Sequence, residues 1–187
     1  MKSSAKTVAY LGVMSALVFV LLTLETYVFI YFIKPSPAFL TIPFAISLCL
    51  RGRKSDMFVG GTILGVSSFV LSFIVAYVPF NNPLISILPR LLIGIVAYGV
   101  YALFTRIFSK TKTDFTKKIL PLSIAGFFGV LTNTVLVIFM LFVFDYSGMS
   151  AIFATIMSFN FLIEAISGIV LTPIIVTTIR KIARVYL

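Results

Sequence analysis

The chain has 187 residues, of which 60% are hydrophobic and 11% charged, and its formal net charge is +10. That composition lies far outside the range of an ordinary soluble domain, so water is excluded as its main solvent. With no histidine and a single cysteine, the chain has no internal disulfide and lacks the usual zinc or haem ligand sets, which leaves Cys49 as a packing residue.

Six apolar stretches follow one another along the chain: Thr7 to Ile33, Ala38 to Leu50, Met57 to Phe80, Leu84 to Ile107, Ile119 to Phe144 and Ser150 to Ile179. Most reach the roughly 20 residues a helix needs to cross a ~30 Å hydrocarbon core, so they predict an all-α bundle of six transmembrane helices. The first stretch is too long for a secretory signal, and no small-residue cleavage site follows it, so it is expected to stay as a permanent helix. The second is short and carries Pro43; it reads as a thin or tilted crossing. Lys34-Pro35-Ser36-Pro37, Asn81-Asn82-Pro83 and Asp145-Tyr146-Ser147-Gly148 mark turns at one side of the membrane, and Arg51 to Asp56 and Ser109 to Lys118 mark connections at the other. No repeat or linker interrupts the series, so residues 1–187 are expected to form one domain.

The basic residues decide orientation. Lys2, Lys6, Arg51, Arg53, Lys54, Arg106, Lys110, Lys112, Lys117, Lys118, Arg180, Lys181 and Arg184, 13 of the 15, fall on one side if all six stretches cross, leaving Lys34 and Arg90 for the other half. The positive-inside rule then puts both termini in the cytoplasm. Dropping the short second crossing would move Arg51, Arg53 and Lys54 outside and break the pattern. Basic residues distributed this way read as loops flanking a bilayer, with no nucleic-acid partner.

The informative residues are those a lipid-facing helix should not contain. Arg90 is expected about two turns into the fourth helix, after Pro89, where an arginine costs roughly 2.5–3.5 kcal/mol at the bilayer centre. It has two readings: snorkelling to the headgroups, or pointing inward to clamp an anionic ligand with its planar fork. On the sixth helix Asn160 and Glu164 lie four residues apart, with Ser167 continuing the stripe, so this face should turn into the bundle. Glu164 reads as the ion-pair partner of Arg90, as an acceptor for ligand hydrogens, or as a proton relay. Asn133, between Thr132 and Thr134 at mid-helix, can serve as helix glue or bind a ligand amide, whereas the threonines are expected to bond their own helix. Glu25 and Asp145 read as interfacial, and Tyr27, Tyr31, Tyr77 and Tyr146 as an aromatic belt. Ala5, Ala9, Gly12 and Ala16 form a stripe of small residues on the first helix. The stripe suits close packing within the bundle or docking of a separate membrane subunit.

Taken together these features resemble the substrate-binding S component of energy-coupling factor (ECF) vitamin transporters. The resemblance covers the whole chain, and the segments Pro89-Arg90-Leu-Leu-Ile-Gly94 and Leu131-Thr-Asn-Thr-Val-Leu136 are similar to those of pantothenate-type members. It implies a plasma-membrane protein that binds a vitamin toward the outer side through Arg90, Asn133, Asn160 and Glu164. It also implies docking of a membrane coupling subunit on Ala5, Ala9, Gly12 and Ala16, and delivery inward by toppling in the bilayer. Pantothenate, with one carboxylate, an amide and two hydroxyls, complements those side chains; folate, a pyridoxine-like compound and a thiamine precursor stay open. The chain carries no Gly-x-x-x-x-Gly-Lys-Ser/Thr segment, so ATP is expected at two partner ATPase subunits, and the chain itself is expected to bind no cofactor or metal. An intramembrane enzyme finds no triad or metal cluster among the scattered acids. A stand-alone channel or carrier would draw on Gly60, Gly61, Gly65 and Gly94, but no inverted repeat accompanies them.

Overall fold

The computed structural model describes residues 4–29, 38–52, 54–76, 78–144 and 151–186. All regular structure among them is helical: α1 (Ser4–Phe29), α2 (Thr41–Cys49), α3 (Val59–Ile74), α4 (Pro83–Ser86), α5 (Leu88–Ile107), α6 (Leu120–Val143) and α7 (Ala151–Tyr186). Long apolar runs without water must satisfy every N–H and C=O inside the segment, and the helix is the local way to do so. The Lys34–Pro37 and Asp145–Gly148 turns, with Tyr31, Tyr77 and Tyr146, lie outside the described residues, as does the side chain of Ala5.

Among the described residues five helical stretches are long and apolar enough to cross a membrane: Thr7–Val28, Lys54–Ile74, Pro83–Lys110, Phe115–Val143 and Phe159–Lys181. The second expected crossing is the exception. α2 has 9 residues, about 14 Å of helix against a ~30 Å core. Other boundaries shift as well. A 3-10 turn, Lys54–Phe58, leads into α3, which stops at Ile74 rather than Phe80. The expected fourth helix is broken at Ile87 into α4 and α5, so Arg90 stands in the first turn of α5 and not two turns into a continuous helix. α7 runs on to Tyr186, beyond the expected Ile179.

α2 sits inside the bundle, packed against α1, α3, α5, α6 and α7. Eight of its residues are buried, among them Ile42, Ile46 and Leu48, which join Val18, Ile93 and Val130 in one core. Missing side chains allow the close approach. A Cβ on Gly60 would stand 1.8 Å from Ala45 O, and one on Gly126 2.1 Å from Gly168 O, so α3 touches α2 and α6 touches α7 backbone to backbone. Gly60 and Gly94 both press on the Cys49 sulfur, which is fully buried as a packing residue.

A short helix in an apolar interior exposes orphan N–H groups at one end and orphan carbonyls at the other. α2 has charged groups at both. At its start, Glu25 of α1 accepts from Leu40 N (2.5 Å), Thr41 N (3.3 Å) and Thr41 Oγ1 (2.5 Å), while Glu164 of α7 accepts from Ala38 N at 2.9 Å. At its end, Arg180 of α7 donates from Nε (3.0 Å) and Nη2 (2.7 Å) to Leu50 O, and from Nη1 to Tyr101 Oη, whose ring it also stacks on. Carboxylates at the N-terminus and a guanidinium at the C-terminus also match the helix dipole. Ser47 meets Thr172 O midway, so α2 and α7 run side by side in the same direction.

Candidate ligand-binding site

Arg90 is buried, at 8% exposure, which removes the snorkelling reading. Its place follows from its neighbour in sequence. Helical bonds run from Ile87 N to Pro83 O (2.8 Å) and from Leu91 N to Ile87 O (3.0 Å), flanking the break. Residue 89 should donate to Ile85 O, but proline has no N–H to give. Arg90 Nη1 donates to Ile85 O instead, at 2.7 Å. The guanidinium also lies 4.7 Å from the Phe80 ring centroid, an electrostatically favourable stack. Phe80 is held in turn: Ser86, fully buried, donates its hydroxyl to Phe80 O, and Asn82 caps the turn by accepting from Leu84 N at 3.0 Å. Among the described residues Arg90 makes this single hydrogen bond, so most of its N–H groups are uncommitted. Gly61 permits the arrangement, since a Cβ there would stand 2.3 Å from Arg90 O.

Asn133 belongs to the buried stripe of α6 with Gly126, Gly129, Val130 and Val137. Its Oδ1 is buried without a hydrogen-bond partner among the described residues. Gly129 faces Ile46 of α2 and Ile93 of α5. One turn from that contact, toward the α2 start, lie Asn133 on α6 and Arg90 on α5, because the two helices are antiparallel neighbours.

Asn160 and Glu164 both turn into the bundle, at 4% and 6% exposure, at the head of a buried stripe that continues through Gly168, Thr172 and Val176. Ser167 donates to the backbone O of Glu164 at 2.7 Å. Arg90 and Glu164 form no ion pair among the described residues; Glu164 Oε1 accepts from Ala38 N instead. The four sequence-derived residues therefore stand on α5, α6 and α7, helices packed successively against one another. Thr132 bonds its own helix at Phe128 O, as expected.

Sequence reasoning missed several residues. Glu25 is buried at the start of α2 rather than interfacial. The signal was faint: Leu40, the residue before α2, offers no side-chain cap, so an acceptor had to come from elsewhere. Phe80, Ile85 and Ser86 were missed because their role depends on the break that Pro89 makes. Arg51 and Asp56 form a bidentate pair at 3.1 and 2.9 Å, with the guanidinium over the Tyr10 ring. Among the described residues no cluster of His, Cys, Asp or Glu could hold a metal.

On α1 the side chains of Ala9, Gly12 and Ala16 are exposed, and a Cβ on Gly12 would meet nothing within 4 Å. Among the described residues, Ala9, Gly12 and Ala16 are thus not used for packing inside this chain.

Comparison with known proteins agrees with this architecture. The family model for "ECF transporter, substrate-specific component" matches residues 6–179. The chain is 29% identical to the pantothenic acid transporter PanT of Lactococcus lactis subsp. cremoris (strain MG1363), across 96% of this chain and 96% of that protein. No solved structure matches the chain. With five long apolar helices besides α2, it is a multi-pass protein of the plasma membrane and a transport subunit. The chain belongs to the family of ECF transporter substrate-specific components.

Proposed function

We propose that this chain is the vitamin-capturing subunit of an importer for pantothenate. The observation that carries the reading is Arg90: a buried guanidinium, fixed at one N–H and on one face, with Asn133 Oδ1 unpartnered in the same layer of the bundle. A buried polar group without a partner costs about 1–3 kcal/mol, so a ligand that supplies one recovers that cost. Pantothenate brings a carboxylate for the guanidinium fork and amide and hydroxyl hydrogens for acceptors such as Asn133, Asn160 and Glu164. The printed name of the Lactococcus relative supports the same ligand.

Six crossings with both termini in the cytoplasm complete the reading. It is supported by α2 running parallel to α7 from the carboxylate end to the Arg180 end, beside which Arg51 and Lys54 also fall. Uphill transport then rests on a membrane coupling subunit, met by Ala5, Ala9, Gly12 and Ala16, and on two ATPase subunits that bind the ATP.

Calorimetric titration of the detergent-solubilised chain with pantothenate, folate, pyridoxine and thiamine tests the ligand. Pantothenate should bind. Arg90→Gln should weaken it by about 10–100-fold, the worth of a charge-assisted hydrogen bond, and Asn133→Ala by about 3–10-fold. Equal binding by wild type and Arg90→Gln would overturn the arginine assignment, and binding of another vitamin alone would overturn pantothenate.

A further inference from the structure

We infer that Pro89 and Phe80 are positioning residues that aim the Arg90 guanidinium at an anionic ligand group, and so set the preference for a carboxylate; this rests on the reading of Arg90 as a ligand-binding residue. Left to itself, an arginine on a long flexible stem samples many rotamers and loses that freedom when it binds. Here two constraints remove the freedom beforehand. Pro89 withholds the backbone donor that Ile85 O would ordinarily receive, and Arg90 Nη1 takes the place of that donor at 2.7 Å. The bonds on either side of the break, from Ile87 N to Pro83 O and from Leu91 N to Ile87 O, are helical, and Ile85 O is the carbonyl between them whose partner position the proline occupies.

The second constraint is the Phe80 ring, 4.7 Å from the guanidinium. It covers one face of the cation and leaves the N–H edge away from Ile85 for a ligand. The Phe80 main chain is itself held by the 3-10 turn Val78–Asn81 and by the Ser86 hydroxyl bonded to Phe80 O. Backbone break, aromatic platform and arginine thus form one unit between residues 80 and 90, built from a proline that a continuous transmembrane helix would not need. Preorganisation of this kind raises affinity for the group it is aimed at while leaving the rest of the ligand unaffected.

The test uses the full chain with pantothenate and with its alcohol analogue, in which the carboxylate is reduced to a hydroxymethyl group. Phe80→Leu should weaken pantothenate by about 3–30-fold and leave the alcohol within about twofold, and Phe80→Tyr should restore binding. Pro89→Ala gives Ile85 O a backbone donor again; it should weaken pantothenate in the same selective way while the melting temperature holds or rises. A merely structural role would instead weaken both ligands alike and lower the melting temperature with Pro89→Ala, and that result would overturn the inference. Should wild type bind neither compound, the proposed ligand fails, and a double-mutant cycle of Phe80→Leu with Arg90→Gln in melting temperature still decides the unit. A loss that vanishes in the Arg90→Gln background supports it, and additive losses refute it.

Discussion

Glu25 carries a carboxyl group into an apolar bundle and meets two backbone N–H groups and a hydroxyl at the start of α2. In lipid no water replaces a lost acceptor, so the donors left behind would stay unsatisfied. Glu25→Ala should therefore cost roughly 2–4 kcal/mol, read as a fall in melting temperature, with Glu25→Gln recovering about half. A Glu25→Ala variant that melts with wild type would show that the carboxylate is dispensable to α2. At this scale the sequence was readable where a polar residue interrupts an apolar run: Arg90, Asn133, Asn160 and Glu164 all stand buried. Glu25 was misread because it lies near a helix end, where an interfacial carboxylate and a capping one look the same in one dimension.

Among the elements, α2 owes its depth to glycine. The Gly60 contact with Ala45 O and the Gly126 contact with Gly168 O leave no room for a methyl group. Gly60→Ala should destabilise the bundle by about 1–3 kcal/mol through forced separation of α2 and α3. Gly99→Ala, at a position with nothing within 4 Å, should be neutral or slightly stabilising because alanine favours helix. Thermal melts of the two variants in one detergent check the contrast; equal shifts would remove the close-packing account. The four glycines that a stand-alone channel or carrier would draw on, Gly60, Gly61, Gly65 and Gly94, all serve close approach. Most helix ends were readable to within a few residues, but α3 stops six residues short of Phe80, α7 runs seven past Ile179, and the fourth stretch breaks at Ile87. There the break needs both Pro89 and the side chain that replaces its bond.

Seen whole, the molecule leaves α1 poorly covered. Val18 and Glu25 are its buried residues among those described, while Val8, Val13 and Leu24 are more than half exposed. The small residues Ala9, Gly12 and Ala16 share that open surface. If the stripe is where a coupling subunit meets the chain, Gly12→Leu should abolish co-purification with the partner subunits and ATP-dependent uptake. Pantothenate affinity in the isolated chain should stay within about twofold, since the substitution is remote from Arg90. Retained co-purification would move the docking surface elsewhere.

The sequence by itself determined that this chain is a helical membrane protein, where its long helices lie, and which side chains are too polar to face lipid. These are local properties: hydrophobic length sets a crossing, and each helix closes its own backbone hydrogen bonds. Only the tertiary structure decided what those polar groups meet. Glu164 turned to Ala38 rather than Arg90, Arg90 took the carbonyl that Pro89 leaves bare, and Arg180 closed the far end of α2. Such pairings depend on the register between helices, which is set by glycine contacts far apart in the chain.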